Sequence, residues 1–212
     1  MKGLLLKDIY NLKHLGKQYA IICTGMLVWS IFMKNYSFFS MMIMLSGVMS
    51  VITSFSFDEA AHFDKYALTL PVTKKNLVQA KYALLLAFLA GGFLIGTLGS
   101  VLVGLVMEGG VLELPEQIVS AASVACLFLL AFSVMLPAVF KLGVEKGRML
   151  LVGIYMGLFA LFWGGFYLMR ELGIQISDSS APKFFGIAVV VVLVLLFISY
   201  QVSIKIMEKK EW

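Results

Sequence analysis

The chain has 212 residues, of which 61% are apolar and 14% charged, with a formal net charge of +5, and its mean hydropathy is +0.96. Such a composition excludes a water-soluble globular domain and describes an integral membrane protein. The length suits a single transmembrane domain, residues 1–212, of about six spans, because each crossing needs roughly 20 apolar residues.

The first segment, MKGLLLKDIYNLKHLGKQ (residues 1–18), predicts an amphipathic interfacial helix. Leu5, Ile9 and Leu12 fall on one face, and Lys7, Asn11, His14 and Gln18 on the other, with Lys13 and Lys17 adding charge toward its end. Four lysines precede any apolar run and no small-residue cleavage site follows, so a cleavable signal peptide is not expected.

Apolar runs then place spans at about 19–33, 37–57, 82–107, 117–140, 149–169 and 184–204. They are helices by necessity, since lipid leaves no partner for open backbone groups. The fold class is therefore an all-α membrane bundle. Fourteen of the 17 basic residues fall before the first span, after the second, after the fourth and after the last. By the positive-inside rule both termini and the 58–81 connection are cytoplasmic. Merging the first two runs into one span would leave Lys34 in the bilayer and move the basic N-terminus outside. The net positive charge thus reflects topology and attraction to anionic membrane lipid, with no nucleic-acid partner expected.

Within the third span Gly92, Gly96, Ser100 and Gly104 recur every four residues, and Gly153 and Gly157 do so in the fifth. Small residues at that spacing let a neighbouring helix approach closely, within the chain, at an interface with another subunit or along a substrate path. Pro137 predicts a kink near the end of the fourth span. Cys23 and Cys126 both lie in spans, which predicts neither a disulfide framework nor a metal cluster. Ionisable residues are missing from the middle of every run, so the usual residues of proton- or ion-coupled transport are not there.

The polar island SFDEAAHFDKYALTLPVTKKN, residues 56–76, joins the second and third spans. Ser56 and Glu59 have capping-box spacing, predicting a short helix over 58–68 with Asp58, His62, Lys65 and Thr69 on one face and Ala60, Phe63 and Ala67 on another. Leu70-Pro71 disfavours its continuation, and Thr73 can cap the helix leading to the third span. Glu59 and His62 supply two metal ligands at most, too few for a metal centre. An amphipathic cytoplasmic helix is better explained as a docking element, with Phe63 and Tyr66 as anchors and its acids facing a basic groove.

The segment ending in HLGKQY, the FDEAAHFDKY stretch, the following LTLPVTKKNLVQAKY and the short outer loops resemble a known family. They are similar to the membrane subunits of type-2 ABC exporters, and most resemble the six-span permeases that export phenol-soluble modulins and antimicrobial peptides from Gram-positive bacteria. The resemblance implies a multi-pass protein of the bacterial cell membrane. It makes residues 58–68, with Asp58, Glu59, His62, Phe63, Asp64, Lys65 and Tyr66, the coupling helix in a cleft of an ATP-binding subunit. Residues 2–17 become the connecting helix beside it. The chain holds no G-x-x-x-x-G-K-[ST], so no cofactor is expected on it, and ATP and Mg belong to the partner. The complex implied is two permeases, identical or sister subunits, with two ATPase subunits, exporting an amphipathic or hydrophobic cargo. A non-transporting immunity or sensor partner of an ATPase, and a membrane-embedded enzyme, are the alternative readings.

Overall fold

The computed structural model describes residues 2–14, 16–33, 35–67, 72–108, 114–171 and 181–210, and no strand occurs among them. The helices are α1 (Lys2–Lys13), α2 (Gly16–Phe32), α3 (Tyr36–Ala60), α4 (Phe63–Ala67), α5 (Lys74–Glu108), α6 (Leu114–Leu142), α7 (Val144–Glu171) and α8 (Ala181–Lys209). Five of them, α3, α5, α6, α7 and α8, are long and apolar enough to cross a membrane, whereas α1 and α2 qualify only together, as a pair bent by 65°. The expected first span falls on the 17-residue α2, whose rise of about 26 Å is short of the ~30 Å of hydrocarbon.

Contacts divide the chain into two compact units, Met1–Phe128 with Lys210–Trp212, and Leu129–Lys209. In the first, the pairing of α3 with α5 is the most extensive. A Cβ added at Gly92 would lie 3.1 Å from the Met44 Cα, and one at Gly96 would lie 3.0 Å from the Ser40 Cα. Gly47 faces the Phe88 backbone in the same way, so the two helices run antiparallel with backbones almost touching. Gly92 and Gly96 thus lie against α3 of the same chain. Ser100 is buried on the same helix and lies 3.5 Å from the Gln117 side-chain oxygen. Gly104 is buried too.

Helix ends follow local chemistry. Asn35 caps α3 by accepting from the Phe38 amide at 3.2 Å, and this cap separates α3 from α2. Thr73 caps α5 as expected, accepting from the Asn76 amide at 3.2 Å. The helix it starts has 35 residues, about 52 Å of rise, so it extends well past a hydrocarbon layer.

In the second unit, Phe132, Met135 and Leu136 of α6 are buried. The helix continues through Pro137 to Leu142. Gly143, at φ 87°, then turns the chain directly into α7, its amide donating to the Val139 carbonyl at 2.9 Å. Along α8, Val192, Ser199, Ser203 and Met207 form one buried stripe at helical spacing. Gly153 and Gly157 of α7 differ from the glycines of α5: a Cβ on either meets no described atom within 4 Å.

The polar island departs from expectation in one respect. Ser56 does not start a helix; it lies inside α3, its hydroxyl donating to the Ile52 carbonyl at 3.1 Å. Asp58 and Glu59 consequently belong to the last turn of the long α3, and the face expected to unite Asp58, His62 and Lys65 does not form. The break falls at Ala61–His62, with His62 at φ 46°, and α4 has only five residues. The Leu70-Pro71 turn and Thr69 lie outside the described residues, as do the side chains of Asp64 and Lys65.

Candidate coupling site

Four charged side chains from three helices meet where α1 lies against α3 and α5. Asp8 comes from the middle of α1, Lys7 from the position before it, Asp58 from the last turn of α3 and Lys81 from the second turn of α5. Lys81 Nζ lies 3.1 Å from Asp8 Oδ2 and 2.5 Å from Asp58 Oδ2. Lys7 Nζ lies 3.1 Å from Asp8 Oδ1 and pairs with Asp58 Oδ1. Each carboxylate thus touches both ammonium groups, in a closed ring of alternating charge.

Burial makes this ring consequential. Side-chain exposure is 2% for Asp8, 11% for Asp58, 9% for Lys81 and 25% for Lys7. Isolated charges at such depth would cost several kcal/mol each, which a balanced and hydrogen-bonded cluster offsets. Ser54 completes the coordination of Lys81, its hydroxyl accepting at 2.7 Å. The rim is aromatic: Lys7 Nζ sits 3.6 Å from the centroid of the Phe63 ring, and Lys81 Nζ 5.0 Å from that of Phe55. Through Phe63 the ring reaches α4, where Phe63 and Tyr66 are tilted against each other at 6.2 Å. A further polar link holds α2 to α3, where the Ser50 hydroxyl donates to the Tyr19 hydroxyl at 2.7 Å.

Chemically the arrangement joins helices: Lys81 is held by carboxylate and hydroxyl oxygens, and Lys7 by two carboxylates and the Phe63 ring. Around it, α4 is the projecting part: His62 is exposed and Tyr66 is 60% exposed. Phe63 is half-buried and Ala67 is buried, so α4 has an inner and an outer side. The start of α5 also meets the far end of the chain, Lys74 Nζ donating to the Lys210 carbonyl at 2.8 Å.

Several sequence expectations are corrected here. Asp58 points into the charge ring rather than outward with the docking residues, because lysines from α1 and α5 converge on it. Lys7, assigned to the solvent face of α1, is half-buried for the same reason. Ile9, assigned to the apolar packing face, is 53% exposed, and the buried stripe of α1 is Leu4, Asp8 and Leu12 instead. Leu5 is half-buried, whereas Lys13 and Lys17 are exposed. Glu59 ends α3 on the exposed side. Asp8, Ser54 and Lys81 were not singled out by sequence. The available signal was Asp8 itself, an acid four residues from both Leu4 and Leu12 in the centre of an apolar stripe.

A family model described as ABC-2 family transporter protein matches residues 3–208. The chain belongs to the ABC-2 transporter family. Neither the curated proteins nor the solved structures provide a match. Membership makes the chain an ABC-2 permease, a multi-pass membrane component of an ABC transporter that acts with an ATP-binding partner. It is a membrane transport component. The charge ring of this permease ties the spans α3 and α5 to the helices outside them.

Proposed function

We propose that this permease is the transmembrane subunit of an ATP-driven exporter, and that α4 with the end of α3 is the element on which an ATP-binding subunit docks. The observation that carries this reading is the linkage of an outward-facing α4 to two spanning helices through Lys7, Asp58 and Lys81. A push on Tyr66 is passed to α3 and α5 through contacts that are short, buried and charged. Rigid elements joined in this way transmit motion rather than absorb it. ATP and Mg reside on the partner, whose closure on nucleotide drives the two helices from one arrangement to the other.

Both termini and α4 are cytoplasmic in this reading, in accord with the lysine distribution. Two permease copies, or this chain and a sister permease, enclose the path and bind two ATPase subunits. Gly153 and Gly157, which meet no described neighbour, give α7 a surface of close approach for the second permease. Spans without charge at their centres suit an amphipathic or hydrophobic cargo, of the phenol-soluble-modulin or antimicrobial-peptide type, moved across a bacterial cell membrane.

The test is co-purification of the permease with the ATPase encoded beside it, followed by transport in proteoliposomes. Tyr66→Asp is expected to abolish co-purification and cargo-stimulated ATP hydrolysis while the permease itself stays monodisperse. Full binding and export by Tyr66→Asp would rule out α4 as the docking element. Cargo-independent ATP hydrolysis with no flux of any amphipathic peptide would favour a sensor or immunity role over export.

A further inference from the structure

The chain breaks between α3 and α4 inside a run without glycine or proline. Ala60 and Ala61 are the strongest helix-forming residue type, and no glycine or proline lies between Phe57 and Ala67. Yet His62 adopts φ 46°, a left-handed conformation that a side chain beyond glycine disfavours. The amides of Ala61 and His62 still donate to Phe57 and Glu59 carbonyls, at 3.0 and 3.1 Å, so the last turn of α3 is intact up to the break. A strained residue persists only where tertiary contacts hold it. One contact that bridges this break is Lys7, which pairs with Asp58 on its α3 side and lies over the Phe63 ring on its α4 side.

We propose that Lys7 is a positioning residue that clamps α4 in its folded-out orientation against the strain at His62. This rests on the reading of α4 as a docking element, and gives Lys7 the role of setting where Tyr66 is presented. A desolvated cation over an aromatic face and one left-handed residue are comparable in energy, so removing the first releases the second. On release, His62 returns to right-handed backbone and α3 runs on into α4. Tyr66, six residues beyond Ala60, then moves outward by up to ~9 Å at 1.5 Å per residue. The charge ring does not dissolve in the process, because Lys81 keeps both Asp8 and Asp58.

The experiment places spin labels at Lys13→Cys and Tyr66→Cys in a Cys23→Ser, Cys126→Ser background and measures their distance by pulsed electron resonance. The permease alone is used, in lipid nanodiscs, so the result does not depend on whether an ATPase subunit binds. The parent gives one narrow distance. Lys7→Met, and independently Phe63→Leu, each add a second population displaced by several ångströms. Lys7→Arg, which keeps a cation on the ring, does not add it, and His62→Gly placed on Lys7→Met removes it by relieving the strain. A single unchanged distance in both Lys7→Met and Phe63→Leu would overturn the clamp. So would equal second populations in Lys7→Arg and Lys7→Met, or one that His62→Gly leaves untouched. Loss of ATPase binding by Tyr66→Asp with no change in these distances would bear on the docking reading alone.

Discussion

The Lys81 ammonium donates to both oxygens of Asp8, at 3.2 and 3.1 Å, across 73 residues of sequence. This pair fixes the short N-terminal helix α1 to the long α5, and Asp8 could not remain buried without it. Lys81→Met therefore leaves two carboxylates sharing the single remaining cation of Lys7. Breaking a buried pair from one side costs about 3–5 kcal/mol, and the lower end is expected because Lys7 stays within 3.1 Å of Asp8. Thermal unfolding of the detergent-purified permease would show the loss. Adding Asp8→Leu to Lys81→Met should recover part of it, since the uncompensated charge is then gone. A double variant no more stable than Lys81→Met would contradict the proposed source of the loss.

Gly96 and Gly153 have the same spacing motif and opposite surroundings. Alanine at Gly96 must push apart two backbones, the new methyl lying 3.0 Å from the Ser40 Cα, and overpacking of this kind costs about 1–3 kcal/mol. Helix propensity returns about 1 kcal/mol of that, so Gly96→Ala is expected to lower stability and Gly153→Ala to leave it level or slightly raised. Melting curves of the two variants side by side decide this. Equal behaviour would mean that α5 does not pack on α3 through Gly96.

How much of this was legible in the sequence differs by feature. Apolar runs and the Thr73 cap gave the helices, because both depend on residues close in the chain. The stripe of Gly92 and Gly96 gave a packing face without naming Ser40 and Met44 as its neighbours. Asp58 was misread because its environment is set by Lys7 and Lys81, residues 51 positions earlier and 23 positions later in the chain. No periodicity within 56–76 carries that information. The break at His62 was missed for the same reason: the local run holds no glycine or proline, and one contact across the break comes from α1.

Thr73 is the first residue before α5, and its hydroxyl accepts at 3.2 Å from the Asn76 amide, which the Thr73 carbonyl shares at 2.9 Å. Thr73→Ala should cost about 1 kcal/mol and Thr73→Ser almost nothing, as serine restores the acceptor. Because the cap lies just after the α4 segment, hydrogen exchange of the Asn76 and Leu77 amides is the direct readout. Faster exchange in Thr73→Ala but not Thr73→Ser is expected; equal exchange in the two would show the cap to be incidental.

The last prediction concerns which residues share a side of the membrane. Lys7 joins α1 to the end of α3 and to α4, so single cysteines at Lys13 and Tyr66 should react from one side, and the lysine distribution expects Lys205 there too. Glu116, at the start of α6 beyond the whole length of α5, should react from the other. With a membrane-impermeant maleimide the first three are expected to label in inverted vesicles and be protected in intact cells, since the basic residues concentrate in their segments. Glu116→Cys should show the reverse. If Lys13→Cys labelled in intact cells while Tyr66→Cys did not, α1 and α4 would lie on opposite sides, and the charge ring could not connect them.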